Sequence, residues 1–187
     1  KVDDPQISGS QIRKEVKQLL ANSFENEEES QLKRWLGHAD QRIRLKAQFE
    51  FVKRGQMMTL IDVATSPSQP LLARIHSLWG LGQFKDRVTA SFVSRLPLSD
   101  SDPEIRAQSA KLAGDLRASS RMQSLIKLLQ DPNSRVRFMA GISLGKVGDP
   151  QAFQAVTRML MENDGKDPFI RHAGVMAWAG MNDIDAL

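Results

Sequence analysis

A short motif centred on one arginine recurs along the chain at a nearly constant spacing. Its clearest copy is DPNSRVRFMAGISLG at residues 131–145, and looser copies lie on both sides of it. In each copy the arginine follows an aliphatic or small residue, which gives Arg44, Arg74, Arg106, Arg137 and Arg171. Successive arginines are 30, 32, 31 and 34 residues apart. Helical-hairpin arrays repeat at this period, so the sequence predicts an all-α fold, an α–α superhelix of about five hairpins.

Residues on either side of each arginine indicate where a helix begins and ends. Asp102, Asp131 and Asp167 each precede a proline, and an N-cap carboxylate followed by proline is typical of a helix start. Eight residues beyond the arginines stand small residues, with glycine suited to a left-handed C-cap: Val52, Gly82, Gly114, Gly145 and Ala179. The turn at 65–70 contains two prolines, so we expect it to be extended.

The hydrophobic spacing predicts two helices, A and B, in each hairpin. The A helices are expected at about 28–36, 56–64, 87–96, 120–130 and 151–162, and the B helices at about 43–53, 71–83, 104–116, 135–147 and 169–179. We expect one repeat domain over 11–187, with repeats at about 28–54, 56–84, 87–116, 119–147 and 151–180. A linker over 1–10, a capping helix over 11–22 and the start of a truncated repeat over 182–187 complete the expected organisation. Because the first residue is Lys1 and the last residues resemble the opening of another helix, we expect the chain to be a segment of a longer protein.

The motif resembles the HEAT repeat family, especially short bacterial HEAT-like repeats of the PBS-lyase type, over about 28–180. The segments 38–50, 72–82 and 167–177 resemble more closely the HEAT region of PVC-type haem-binding proteins, which are labelled membrane-bound dehydrogenases. That resemblance implies an exported, periplasmic parent with a redox domain before this region and a haem domain after it. Any dehydrogenase activity would then belong to the parent and not to this segment.

Two columns of B-helix residues are unusual for such repeats. In HEAT-like repeats the positions one and five after the arginine usually carry charge and face the concave surface, whereas here most are apolar. The first column is Leu45, Ile75, Ala107, Phe138 and His172, and the second is Phe49, Trp79, Lys111, Ile142 and Met176. An exposed apolar stripe of this kind would dock a protein or a neighbouring domain of the parent.

The same columns could instead belong to the core, because most apolar stripes at helical spacing are buried. Other positions are already assigned to the core. Those seven after the arginine are Phe51, Leu81, Ala113, Leu144 and Trp178, and those three after it are the small residues Ala47, Ser77, Ser109, Ala140 and Gly174. The sequence leaves both interpretations open.

The recurring arginines and the basic balance raise a nucleic-acid alternative. Arginines bind phosphate bidentately, yet each of these can also pair with an aspartate of a neighbouring turn and with turn carbonyls, which we favour. A nucleic-acid-binding array would use concave Lys46, Lys53, Trp79 and Lys111. The 26 basic and 22 acidic residues are spread along the chain, whereas nucleic-acid surfaces are usually concentrated patches.

No catalytic, cofactor or metal-binding residues are predicted. The sequence has no cysteine, and His38, His76 and His172 lack the i,i+4 spacing of helical metal ligands. It has neither a complete phosphate loop nor a complete dinucleotide fingerprint, and no apolar run approaches a membrane span of about 20 residues. We therefore expect a non-catalytic docking scaffold; an enzyme that uses a concave carboxylate has little support.

Overall fold

The computed structural model of the chain describes residues 11–87 and 90–181. Every regular element among them is a helix, with no strand, and the helices pair into hairpins. The prediction of an all-α fold of HEAT-like hairpins is confirmed. The expected linker over 1–10 and the truncated repeat over 182–187 lie outside the described residues. The chain divides into two compact units, Lys1–Gly80 and Leu81–Leu187, so the single domain expected over 11–187 stays a prediction.

The first unit contains a capping helix and two hairpins. The helices are α1 (Gln11–Ala21), α2 (Glu29–Leu36), α3 (Gln41–Lys53), α4 (Met57–Thr65) and α5 (Leu71–Leu81), whose last residue crosses the unit boundary. The Asp40 carboxylate begins α3 by accepting the Arg42 N–H at 2.9 Å. Gly55 adopts φ 71°, which turns the chain between α3 and α4.

The turn between α4 and α5 is only partly extended. Ser66, before Pro67, has φ −88° and ψ 114°, as expected for a residue that precedes proline. The Gln69 N–H then bonds the Ser66 carbonyl at 3.2 Å and closes a turn. The prediction of a continuously extended segment is therefore wrong beyond Ser66.

The second unit contains three hairpins. Its helices are α6 (Ala90–Ser94), α7 (Pro103–Asp115), α8 (Met122–Leu128), α9 (Ser134–Val147), α10 (Phe153–Asn163) and α11 (Pro168–Met181). Three 3₁₀ turns precede the A helices α6, α8 and α10, at Gly82–Arg87, Ser119–Arg121 and Pro150–Ala152. The A helices are therefore shorter than predicted. The B helices α7, α9 and α11 pack side by side, α8 packs on α9, and α10 packs on α11.

The helix caps differ from the prediction at one of the three Asp-Pro sites. The Asp102 and Asp167 carboxylates each accept two backbone N–H groups at the start of their helices. At α9, however, Asn133 is the N-cap and accepts the N–H groups of Arg135 and Val136. Asp131 lies two residues earlier and accepts the Asn133 N–H at 2.9 Å. Its carboxylate shapes the turn and does not cap the helix.

The predicted glycines stand near the helix ends, but Gly114 and Gly145 form no left-handed cap and instead serve close helix packing. Gly114 and Gly145 lie inside α7 and α9. A Cβ on Gly114 would lie 2.6 Å from the Ser143 side chain, and one on Gly145 would lie 2.7 Å from the Met176 carbonyl oxygen. The left-handed cap of α9 is instead Gly148, with φ 73°. Small side chains thus let α7, α9 and α11 approach closely.

The two sets of positions assigned to the core are buried as expected. Phe51, Leu81, Ala113 and Leu144 are buried, and Trp178 is half-buried. The five small residues three after the arginines are all buried. The tight packing of the B helices therefore rests on these positions in both units.

Candidate protein-binding surfaces

The positions one and five after the arginine lie opposite the core on each B helix. The core positions are one before, three after and seven after the arginine, and at about 100° per residue they centre on the opposite side of the helix. Side chains in the two predicted columns therefore project away from the core wherever no neighbouring element covers them.

In the first unit these columns and the neighbouring Leu72 form a partly exposed apolar face. We call it the α3–α5 face, and its residues are Leu45, Phe49, Leu72, Ile75 and Trp79. Phe49 is 53% exposed and Trp79 is 40% exposed. Leu45 is half-buried, whereas Ile75 is buried and belongs to the core. Leu72, two residues before its arginine, is also exposed and was not predicted as a site residue.

A buried polar cluster lies beneath Trp79. The His76 ring contacts the Trp79 ring edge-on, with centroids 4.8 Å apart. His76 Nε2 accepts the Arg44 Nε–H at 3.0 Å, so Nδ1 carries the proton and donates to Gln48 Oε1 at 2.9 Å. Burial, and then the Arg44 charge, lower the pKa of His76 from 6.5 to about 4. His76 is therefore a buried residue of the core.

In the second unit the apolar side chains cluster on α9 and α11, and we call this cluster the α9–α11 patch: Phe138, Ile142, Phe169, His172 and Met176. Phe138 and Ile142 are half-buried, His172 is exposed, and Met176 is 47% exposed. Phe169, which was not predicted, is 69% exposed and meets Phe138 edge-to-face with centroids 6.4 Å apart. Phe169, His172 and Met176 follow one another at i, i+3 and i+7, so they share one face of α11.

On α7, neither column position carries an exposed apolar side chain. Ala107 is fully buried and so belongs to the core. Lys111 is exposed and pairs with Asp115 at 2.6 Å, and Lys146 reaches the same carboxylate at 2.5 Å. Burial alone would raise the pKa of Asp115, but hydrogen bonds from both lysines hold that pKa below its usual value. Ion-paired groups thus replace apolar ones next to the patch.

A second ion pair joins α7 to α9. Arg135 Nε donates to Glu104 Oε2 at 2.8 Å, and both residues occupy the position two before their arginine. The same position on α11 is Phe169. The outward side of the B helices in this unit therefore changes from ion pairs on α7 to an apolar patch on α9 and α11, which matches the apolar centre and polar rim of protein interfaces.

The recurring arginines contact the turns. The Nη1 group of Arg44, Arg106 and Arg137 donates in each case to the carbonyls six and five residues before it, at 2.6–3.1 Å. Arg74 Nε donates to the Ala64 carbonyl at 3.0 Å. Arg171 is exposed, and its side chain makes no hydrogen bond to the residues that the structure describes.

The lysines of the nucleic-acid alternative are engaged within the protein. Lys46 Nζ donates to the carbonyls of Leu19 and Leu20 at the end of α1, at 2.9 and 3.1 Å. Lys53 pairs with Glu25 at 3.1 Å, and Lys111 pairs with Asp115. No observation favours a nucleic-acid interface at these residues.

Residues 11–87 and 90–181 contain no group of three or more histidine, aspartate or glutamate side chains able to hold a metal ion. None of the helices described there is long and apolar enough to cross a membrane.

Comparison with known proteins supports the repeat assignment for the second unit. The family described as HEAT repeats matches residues 89–179, which include α6 to α10 and all of α11 except its last two residues. No curated protein matches the chain. The expected dehydrogenase and haem-binding parent therefore stays a prediction.

Proposed function

We propose that this region is a non-catalytic scaffold that docks a protein surface on the α9–α11 patch. The observation that carries the proposal is the exposure of Phe169 and Met176 beside the half-buried Phe138, on the side of the B helices opposite the core. HEAT repeats generally serve as protein-interaction scaffolds. Exposed apolar patches bordered by polar groups are typical of such surfaces.

Burying this patch would supply part of the free energy of a specific contact. Fully burying a phenylalanine or methionine side chain contributes about 1.5–3 kcal/mol. Phe169 and Met176 are roughly half to two-thirds exposed, so burying their remaining surface would contribute about 2–3 kcal/mol together. The Phe138 ring fixes Phe169 from one side, which reduces the entropy lost when a partner covers it.

The α3–α5 face is proposed as a second docking surface of the same kind. Phe49 and Trp79 are its exposed members, and tryptophan is among the residues that contribute most at protein interfaces. The His76 ring beneath Trp79 limits the freedom of the indole in the unbound protein. An interface there would therefore need little reordering of Trp79.

For the partner we propose a neighbouring domain of a longer exported protein that carries a redox domain and a haem domain. This part of the proposal rests on the three segments at 38–50, 72–82 and 167–177 and on no structural observation. It assigns no reaction to the present region.

A site-specific crosslinking experiment tests the docking proposal. A photo-crosslinking amino acid is placed at Phe169 in the full-length parent protein, and at Met161 as the control. Met161 is the most exposed large apolar side chain among the described residues, at 75%, but it lies on the A helix α10. We expect position 169 to crosslink to one defined protein segment and position 161 to give no such product.

Binding of the segment so identified is then measured by calorimetry with purified components. Phe169→Ser with Met176→Ser should weaken binding by at least about tenfold, since the apolar burial is lost, while Met161→Ser should leave it unchanged. Circular dichroism checks that both variants remain helical. Equal binding by the two variants would refute the patch as the docking surface.

A further inference from the structure

The residue six before the arginine shapes the turn that leads into the B helix in the first, third and fourth hairpins. Its side chain accepts the backbone N–H of the residue two positions later: His38 accepts from Asp40, Asp100 from Asp102, and Asp131 from Asn133, each at 2.9 Å. In the fifth hairpin this position is Gly165. Asn163 Oδ1 takes over the role by accepting the Asp167 N–H at 3.1 Å. The turn is thus completed without a side chain at residue 165.

Asp131 also binds the arginine of the preceding hairpin. Arg106 Nε donates to Asp131 Oδ2 at 2.7 Å, and Nη2 donates to Oδ1 at 3.0 Å, which is a bidentate pair. The third donor of Arg106, Nη1, bonds the carbonyls of Asp100 and Ser101. One carboxylate therefore links the third and fourth hairpins.

Arg137 is placed in its turn like Arg106 but lacks this carboxylate. Its Nη1 group bonds the carbonyls of Asp131 and Pro132 at 2.8 and 3.1 Å, close to the 2.8 and 3.1 Å distances made by Arg106. The residue equivalent to Asp131 in the next turn is Gly165. Among the residues that the structure describes, no group accepts a hydrogen bond from Nε or Nη2 of Arg137. The bidentate edge of this guanidinium is therefore available to a ligand.

A cavity of about 450 Å³ lies between the fourth and fifth hairpins, and Arg137 is one of its lining residues. Its lining includes Arg137, Gln130, Met159, Asn163 and Lys166. A Cβ placed on Gly165 would meet no atom within 4 Å, so open space surrounds the residue that lacks a carboxylate. The cavity thus combines an oriented guanidinium and an exposed lysine, while the Gln130 and Asn163 amides are bonded within the protein.

The carboxylates around the cavity are already engaged. Asp131 is bound by Arg106, Glu162 accepts from Gln130 at 3.0 Å, and Asp167 accepts N–H groups at the start of α11. Lys166 lies 4.0 Å from Asp164, and both are largely exposed, so that pair holds Lys166 weakly. These negative charges favour a singly charged ligand group over a doubly charged phosphate.

We propose that this cavity is a carboxylate-binding site, in which a ligand carboxylate bonds Nε and Nη2 of Arg137 as Asp131 bonds Arg106. The carboxylate belongs either to a small organic acid or to an acidic side chain of a peptide. This site is separate from the docking proposal, because neither its residues nor its test involves the α9–α11 patch.

Nuclear magnetic resonance of the arginine Nε–H groups tests the proposal in the intact chain. The probes are acetate, succinate, inorganic phosphate and a blocked tripeptide with a central aspartate, with sodium chloride at equal ionic strength as the reference. We expect a saturable shift of the Arg137 signal with each carboxylate and none with chloride. Tighter binding of succinate would identify a small acid as the ligand, and tighter binding of the tripeptide would identify an acidic side chain.

Three variants separate the bidentate contact from general charge. Arg137→Lys keeps the charge but loses the planar guanidinium, so the affinity for acetate should fall by about tenfold or more. In this variant the affinity is measured from the shift of the Lys166 backbone amide signal. Gly165→Asp supplies an internal carboxylate at Arg137, which should exclude acetate. Gly165 has φ 70°, and aspartate tolerates a positive φ better than most residues. Arg135→Gln removes an equally charged arginine that pairs with Glu104 outside the cavity and should change nothing.

Three results would overturn the assignment. One is a shift with acetate that matches the shift with chloride. Another is an equal loss of acetate affinity in Arg135→Gln and Arg137→Lys. The third is tighter binding of inorganic phosphate than of acetate, which would make the site a phosphate site.

Discussion

The close contact between α9 and α11 predicts that Gly145→Ala destabilises the protein. Gly145 lies on α9 where α11 crosses it, and an added Cβ would lie 2.7 Å from the Met176 carbonyl oxygen and 2.9 Å from the Ala177 Cα. Both are backbone atoms, so no side-chain rotation relieves the overlap. The two helices must separate to admit one methyl group.

The expected magnitude follows from two opposing effects. Forcing an extra methyl group into a packed interface costs about 1–3 kcal/mol, and overlap with backbone places this site near 3. Replacing glycine by alanine inside a helix contributes about 1 kcal/mol in the other direction. The net loss is about 2 kcal/mol, which for a chain of this length lowers the melting temperature by about 4–8 °C.

Urea unfolding followed by circular dichroism, together with hydrogen exchange of peptides from α9 and α11, measures this loss. Gly82→Ala is the control, because its Cβ would meet only Leu112 Cδ1, at 3.4 Å, within this unit. The control should stay within about 0.5 kcal/mol of the original protein. If Gly145→Ala proved equally stable, or more stable, close backbone approach would not explain this glycine.

Three further predictions concern buried and paired charges. The unfolded chain protonates His76 below about pH 6.5 but the folded chain does so only near pH 4, so lowering the pH from 7 to 5 should cost about 2 kcal/mol in urea unfolding. His76→Gln should remove most of that dependence, and an unchanged pH profile would contradict the assigned burial. Asp131→Ala leaves Arg106 without its carboxylate and should lower the free energy of unfolding by about 3 kcal/mol. Glu104→Gln changes a more exposed pair and should lower it by less than about 1 kcal/mol. Equal losses of the two variants in urea unfolding would contradict this prediction. Lys46→Ala removes the hydrogen bonds to the end of α1, so limited proteolysis should cleave between α1 and α2 faster, and an unchanged cleavage rate would show that Lys46 does not hold α1.

The B helices could be predicted from the sequence because one arginine fixes their register. Its turn contacts and the buried residues three and seven positions later repeat together, so each copy supports the others. The A helices α8 and α10 have no equivalent residue, and their first residues form 3₁₀ turns. Asp131 was misassigned as a cap because a carboxylate before proline looks the same in sequence whether it bonds the helix or the preceding arginine.

The candidate surfaces could be predicted only in part. The column positions point outward by helical geometry, but a neighbouring element decides whether each is covered, which is why Ile75 and Ala107 are buried while Phe49 and Met176 are exposed. The sequence analysis did not include Leu72 and Phe169, which both stand two residues before their arginine. Each precedes the two column positions of its own helix by three and seven residues and so lies on the same helix face. Extending the pattern one turn toward the N-terminus of each B helix would have included them.

The single carboxylate shared between the third and fourth hairpins also affects how the protein opens locally. Separating α9 from α7 would strand Arg106 from its bidentate partner, so those two hairpins are expected to open together and rarely. Detaching α11 from α9 breaks apolar and backbone contacts but separates no ion pair between them among the described residues, since glycine stands where the carboxylate would be. The fifth hairpin can therefore sample an open state alone, and a ligand that binds at Arg137 only while the cavity is closed would reduce the population of that state.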